Sequence, residues 1–266
     1  MTIPGESKTE AGRKAGVSAV IEAAVATEIV EVSVGENREM GASAYQLKPD
    51  AYSSHSRILS LLGEGHRRRL LDVGAADGFL GERLSGQGFE VTCLEGDHAL
   101  AEKAKTKCSA VVVADLDGAL PDLQTNFDVI VYGDILEHLK DPLRALRGLN
   151  RYLKPEGVVV ISVPNVGNLW VRYHVLTGKF EYADRGILDR THLRFFTLSS
   201  FQQLLREANL KIIRLCSTPV PLPLLIPERY QGRIFDAIHA LNGASSKLWK
   251  SLLAYQFLAV AQRSSL

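Results

Sequence analysis

The run Arg69-Leu70-Leu71-Asp72-Val73-Gly74-Ala75-Ala76-Asp77-Gly78 sets one acid, Asp72, inside an apolar stretch and then breaks at two glycines before Phe79. A turn of this composition exposes backbone N–H groups beside a helix start, a surface suited to a nucleotide-like ligand. Three more acid-bearing groups follow apolar runs: Glu95-Gly96-Asp97, Asp115-Leu116 and Gly133-Asp134. Carboxylates so placed accept hydrogen bonds from ribose hydroxyls or an adenine amine, and Glu95, about 20 residues past the turn, has the spacing of a ribose acid. A second set is of acid–base type. His192, with Asp189 three residues before it, and His138, just after Gly133-Asp134, can take a proton from a reacting group.

Such groups need a scaffold that brings distant turns to one edge. Leu70–Val73, Glu90–Leu94, Ala110–Val113, Phe127–Tyr132 and Val158–Val163 read as strands, with Pro155-Glu156-Gly157 as the turn into the last. Phe79–Leu84, His98–Lys107 and Pro142–Leu153 carry helical patterns between them. Continuous apolar strands alternating with amphipathic helices predict a doubly wound, mostly parallel α/β sheet, which binds ligands at the carboxyl ends of its strands. Ahead of the first strand, Ser53 to Ser56 cap a short helix reaching Leu62, which sets Tyr45, Tyr52 and His55 near the Gly74 turn. Residues 164–196 interrupt the alternation with aromatic, His and Arg residues at the active edge, as a lid or acceptor pocket would.

Thr197 caps a helix running to Asn209, and Leu210–Leu215 is a further strand. Residues 218–254 form a Pro-rich and helical insertion, its helix spanning Tyr230 to Leu253 with an interruption near Asn242-Gly243. Ile234, Phe235, Ile238, Leu241, Leu248 and Trp249 share one face, expected to pack on its own domain or on a second subunit as a homodimer or partner contact. Tyr255–Ala261 is the last strand. Residues 1–41 read as a flexible extension and 42–266 as one domain.

The bulk properties exclude several classes. At 266 residues, 46% hydrophobic and 23% charged, the chain has an ordinary globular composition. A net charge of +1 gives no global case for nucleic acid. Cys93, Cys108 and Cys216 show no CxxC or Cys/His ligand spacing, so neither a disulfide scaffold nor a metal site is expected, and Cys93 and Cys216 read as buried free thiols. No run approaches the ~20 apolar residues of a transmembrane helix. No secretory leader is evident, and the expected location is cytoplasmic.

Three nucleotide ligands compete for the turn. A P-loop needs a Lys after Gly78, which is absent. A dinucleotide fold needs GxGxxG, whereas the glycines here stand at 74, 78 and 81. S-adenosylmethionine asks for a tight turn at its methionine end, an acid for the ribose and an acceptor near the adenine amine. Asp72, Glu95, Asp115 and Gly133-Asp134 meet that pattern, with Asp72 beneath the turn where it can face the ligand's ammonium.

The segments LLDVGAADGFLGERL, VTCLEGD, VVVADLDG, FDVIVYGDILEHLKDP and LKPEGVVVISVPN, in this order, resemble the successive motifs of class I S-adenosylmethionine-dependent methyltransferases. The resemblance covers Arg57 to Leu215. PNVGNLWVRYHVLTGKF and LDRTHLRFFTLSSFQQLL are similar to MetW-like bacterial methyltransferases and to those found with polysaccharide-assembly enzymes. The resemblance implies a seven-stranded sheet with an antiparallel last strand and S-adenosylmethionine as cofactor. It also implies cofactor contacts from Asp72, Gly74, Ala75, Ala76, Gly78, Glu95, Gly96, Asp97, Asp115, Leu116, Gly133 and Asp134. Ala76 departs from the glycine the family often has. The expected reaction is O-methylation of a sugar, glycan or other hydroxylated small molecule, with His192 as base, Asp189 orienting it and His138 as second candidate. The alternative is a non-catalytic cofactor-binding partner that regulates another enzyme.

Overall fold

The computed structural model of the chain describes residues 50–264. The expectations for residues 1–41 and for Tyr45 lie outside the described residues. Helix α1 (Ser54–Leu62) is capped by the Ser53 hydroxyl, which accepts from the Ser56 N–H. Then come β1 (Arg69–Val73), α2 (Phe79–Gly86), β2 (Glu90–Glu95), α3 (His98–Ala104), β3 (Ala110–Val113) and β4 (Phe127–Gly133). A 3₁₀ turn (Leu136–His138) leads to α4 (Pro142–Asn150), β5 (Leu153–Pro164) and α5 (Leu169–Leu176). The chain closes with α6 (Leu198–Glu207), β6 (Leu210–Thr218), α7 (Leu222–Leu225), α8 (Arg233–Leu248), α9 (Lys250–Leu253) and β7 (Gln256–Arg263).

The strands form one sheet in the order β3-β2-β1-β4-β5-β7-β6, with β7 antiparallel to both neighbours. The order reverses direction between β1 and β4, which opens a crevice at their carboxyl ends. Both faces are covered. Leu71, Val73, Ile130, Tyr132, Val159 and Ile161 pack with α4 and α6 residues such as Leu146 and Phe201. The alternate positions Leu70, Val129, Val131, Val158 and Val160 pack with Ile58 of α1 and Leu80 and Leu84 of α2. Two buried faces explain why these strands read as unbroken apolar runs.

Four expectations change. Helix α4 ends at Asn150, and β5 begins at Leu153, before the expected turn. Phe127 pairs with Leu153 but Val129 pairs with Val158, so a register shift absorbs Lys154 to Gly157 as an irregularity within the strand. Second, Cys93 is not a free thiol: it is bonded to Cys108, while Cys216 is free but only partly buried. β2 and the segment after α3 bring these two cysteines together under α2, where Gly81 leaves room for the sulfurs. Third, α8 runs unbroken through Asn242-Gly243, because Gly243 serves close packing: a Cβ there would stand 3.0 Å from Tyr52 Cε1. Fourth, α8 buries His239, Gly243 and Ser246, while Ile234, Ile238, Leu241 and Leu248 face solvent, so of the two expected packings the stripe does not take the one on its own domain. The helix is held by polar contacts, including Asp50 to His239 at 3.2 Å and the Ser217 hydroxyl to Ser246 O at 2.9 Å. No helix among the described residues is long and apolar enough to cross a membrane.

Candidate active site

At the carboxyl end of β1 the chain turns through Gly74, Ala76 and Gly78, with φ of +73°, +50° and +80°. The Gly74 and Ala75 N–H groups both donate to Leu94 O, at 2.8 and 3.1 Å, which fastens the turn to β2. A Cβ on Gly74 would stand 2.5 Å from Ile135 Cγ1, so backbone sign and close approach both demand glycine. Gly78 is the N-cap of α2 and supplies no side-chain cap, leaving the helix N-terminus to the turn.

Asp72 lies beneath this turn, 2% exposed, and its Oδ2 has no hydrogen-bond partner among the described residues. Burial, and then the neighbouring Glu95 carboxylate, push its carboxyl up to about 7. A buried carboxylate with an unmatched oxygen calls for a cation. A ligand that carries an ammonium group and fits against bare backbone satisfies both features, and S-adenosylmethionine is such a ligand.

The Glu95 carboxylate is already held at both oxygens: Oε2 accepts from the Ala76 N–H at 2.8 Å and Oε1 from the Asp97 N–H at 2.9 Å. Each oxygen keeps a second lone pair for a diol. Gly96 follows at the rim of the crevice. Asp97 is committed to α3, where the Leu100 and Ala99 N–H groups hold its carboxyl below the usual range. Asp115 accepts the Asp117 N–H at 2.9 Å. Beside it, Leu116 is buried and its carbonyl accepts from Arg144 at 2.6 Å. Arg144, which also donates to Gly118 O, clamps this loop to α4, and nothing in the sequence singles it out.

Gly133 ends β4, and Asp134 follows at φ +56°. The Asp134 carboxylate accepts from the Ser162 hydroxyl at 2.6 Å, the Ser54 hydroxyl at 2.9 Å and the Gln256 amide at 2.9 Å. It therefore gathers α1, β4, β5 and β7 at the carboxyl edge of the sheet. A small cavity bounded by Tyr52, Ser53, Thr218, Tyr255 and Gln256 opens at the same edge. His55 and Tyr52 do not line the turn together. His55 packs edge-on against Phe79, and Tyr52 turns to His239 of α8.

The acid–base candidates do converge. The His138 and His192 rings stand 4.8 Å apart at 74°. His192 Nδ1 is 3.1 Å from Ile187 O, and His138 Nδ1 is 3.3 Å from Thr191 O and 3.2 Å from its hydroxyl. A carbonyl only accepts, so both Nδ1 atoms carry the proton and both Nε2 atoms offer a lone pair. Burial is the largest influence on His192 and lowers its pKa. Asp189 does not orient His192 directly, as the spacing suggested. Its carboxylate accepts from the Thr191 N–H and hydroxyl, at 2.8 and 2.7 Å, and so reaches His138 through Thr191. Burial would raise Asp189, but these two bonds, with His192 and His138, hold it below its ordinary value.

Glu137, at the centre of the 3₁₀ turn, is buried, and its carbonyl accepts from the Leu193 and Arg194 N–H groups at 2.8 and 2.9 Å. This pins the insertion to the turn. One ligand-capable atom from each of Glu137, His138 and His192 lies within 4.8 Å of the others. Tyr255 completes the wall. Burial, then Asp134 and Asp189, push its phenol up to about 12, so its hydroxyl stays a donor at neutral pH. The sequence marked Tyr255 only as a strand start.

A family model described as a methyltransferase domain matches residues 44–215. The chain belongs to that family. S-adenosylmethionine is the family's cofactor, and the buried Asp72 carboxylate with its unmatched oxygen beneath the turn fits the ammonium group of that ligand. Curated relatives include a ubiquinone biosynthesis O-methyltransferase of Alkalilimnicola ehrlichii, 29% identical over 58% of this chain and 64% of that protein. Another of the same name, from Rickettsia felis, is 29% identical over 41% of this chain and 46% of its own length. The tRNA 5-carboxymethoxyuridine methyltransferase of Escherichia coli is 27% identical over 49% and 52%. The chain thus spans about half the length of the curated relatives it matches. Among solved structures, the CcbJ methyltransferase of Streptomyces caelestis shares the fold with a TM-score of 0.52 at 12% identity, over 80% of this chain and 89% of that one. So does a cyclase, SpnF, with a TM-score of 0.54 at 16% identity over the whole of both chains. The architecture alone therefore does not name the acceptor.

Proposed function

We propose that this methyltransferase methylates a hydroxyl oxygen on a sugar, glycan or other hydroxylated small molecule. The observation that carries the reading is the pair His138 and His192, each with Nδ1 tied to a carbonyl and Nε2 open, beside Asp134 at the carboxyl edge of the sheet. Oxygen acceptors need help with their proton, and a positioned group gives typically 10²–10⁴-fold. The name O-methyltransferase among the relatives supports an oxygen acceptor. The half-exposed aromatics Trp170, Tyr173, Phe180 and Tyr182, in a segment that also carries Arg172, Arg185 and Arg190, suit a sugar ring with an anionic substituent.

When bound, S-adenosylmethionine supplies a sulfonium methyl whose carbon–sulfur bond breaks as the new oxygen–carbon bond forms, the electron pair staying on sulfur. The residues of this chain hold and align the reactants, which provides much of the acceleration. Asp72 would face the ammonium of the bound cofactor, Glu95 its ribose hydroxyls and Asp115 its adenine amine. Asp134 fixes the edge against which the acceptor rests, and the His138–His192 pair manages the hydroxyl proton.

The test is donor turnover with phenolic, sugar and lipid-linked glycan acceptors, reading S-adenosylhomocysteine release. Acceptor-dependent release is expected. A chain that binds S-adenosylhomocysteine but releases none with any class overturns the reading in favour of a regulatory partner. That second reading draws on the exposed stripe Ile234, Ile238 and Leu241 of α8, 80%, 53% and 69% exposed. Methylation of RNA, the act for which the Escherichia coli relative is named, draws no support from a net charge of +1.

A further inference from the structure

We infer that Glu137, His138 and His192 form a site for a first-row divalent cation of the zinc class, whose open coordination position takes the acceptor hydroxyl. Binding of the cation stands on the geometry alone; its use in catalysis rests on the oxygen-acceptor reading above.

Two imidazoles and one carboxylate are a donor set that suits zinc-class cations, while magnesium and calcium prefer oxygen ligands. The three ligand atoms lie within 4.8 Å of one another. On a tetrahedral cation with bonds of 2.0–2.1 Å, neighbouring ligands stand about 3.3 Å apart. Three protein ligands leave a fourth position open, the arrangement of catalytic sites as opposed to structural ones.

The outer contacts are those that metal-bound histidines require. A ligating imidazole gives its other N–H to a carbonyl or carboxylate, which fixes tautomer and ring plane. His192 gives Nδ1–H to Ile187 O, and His138 gives Nδ1–H to Thr191, whose hydroxyl in turn donates to Asp189. The Glu137 backbone is pinned by Leu193 and Arg194, so the turn and the insertion present their ligands as one unit. The sequence shows no ligand spacing because His192 comes from the insertion and the other two from the turn after β4.

The placement gives the ion a task. His192 lies within electrostatic reach of Asp134 and His138, and Tyr255 within reach of Asp134 and Asp189. A cation here lowers the pKa of a hydroxyl bound to it, so the His138–His192 pair acts on the hydroxyl proton through the ion it holds, and the proton leaves to solvent water.

The experiment uses the full chain, stripped by chelator, dialysed and titrated with Zn²⁺ alone, then with Co²⁺ as a spectroscopic probe. One ion per chain is expected, with the visible absorption of nitrogen-ligated cobalt. Glu137→Gln, His138→Gln and His192→Gln should each weaken binding by about 100-fold or more, beyond the 10–100-fold typical of outer partners. S-adenosylhomocysteine affinity should stay unchanged and serves as the control for folding. Should Glu137→Gln fail that control, His192→Gln and the outer variant Thr191→Val decide. Absence of stoichiometric binding to the stripped wild type, or binding indifferent to His192→Gln, overturns the inference. A stripped chain that binds no ion yet methylates its acceptor sinks the metal site and leaves the oxygen-acceptor reading standing. A chain that binds the ion and the cofactor product but transfers nothing supports the site and removes the proposed function.

Discussion

The two halves of the sheet edge are built by different means. On the donor side, Gly74, Ala75, Ala76 and Gly78 offer backbone, and the groups that hold them, Leu94 O and Glu95, come from the adjacent strand. On the proposed acceptor side, residues 164–196 and the start of β7 offer side chains: His192, Asp189, Tyr255 and Gln256, gathered from segments far apart in sequence. A backbone cradle serves one invariant ligand, whereas a side-chain wall is free to change with the acceptor. The consequence is testable, because substitutions should separate donor affinity from turnover.

The largest effect on turnover at unchanged donor affinity belongs to the acceptor side. His192→Ala should lower turnover by roughly 10²–10⁴-fold. S-adenosylhomocysteine affinity, read by calorimetry, should hold, since His192 bonds Ile187 O and no residue of the donor turn. A matching fall in affinity would merge the two halves.

Asp72→Asn is the donor-side counterpart. Losing one partner of a buried charge pair should weaken donor binding by about 100-fold or more. The same change should stabilise the unliganded chain. The Asp72 carboxyl is raised to about 7, so its contribution to stability is full at acid pH and is lost as pH rises through that value. The asparagine variant has no such loss, and its melting temperature should exceed that of the wild type by a margin that widens from pH 5 to pH 8. Wild-type donor affinity should be level above about pH 7 and fall by up to tenfold per pH unit below it, as the carboxyl protonates. A flat profile across pH 5 to 8 would remove Asp72 from the ammonium site.

What the sequence revealed follows the same division. The glycine turn, the acids Glu95 and Asp115 and the seven strands were legible because each is a local signal: an apolar run, a break, an acid at its end. The Thr197 cap was legible for the same reason. Hidden were Arg144, Tyr255 and the route from Asp189 through Thr191 to His138, which depend on contacts across 26 to 53 residues or more. The Cys93–Cys108 bond was hidden because only the β2–α3 crossover brings those sulfurs together. The apolar stripe of α8 was legible from its spacing, but not that it leaves its own domain to small and polar residues. Gly243→Val tests that docking. A side chain 3.0 Å from Tyr52 Cε1 overpacks the contact, so stability should fall by about 1–3 kcal/mol in chemical unfolding, with donor affinity untouched.

The smallest expected effect bears most directly on the donor turn. Ala76 holds φ +50° with a methyl group, a conformation that costs a non-glycine residue roughly 1–2 kcal/mol. Ala76→Gly removes that strain, but the freer unfolded chain offsets it by about 0.4–1 kcal/mol. The net change in stability should therefore be a gain of about 0–1.6 kcal/mol. Donor affinity should also change little, because the N–H that fixes Glu95 Oε2 at 2.8 Å belongs to the backbone and survives the substitution. The reverse exchange two residues earlier, Gly74→Ala, drives a Cβ to 2.5 Å from Ile135 and should abolish donor binding. If Ala76→Gly shifted donor affinity tenfold while Gly74→Ala left it intact, side chains would govern the donor turn after all.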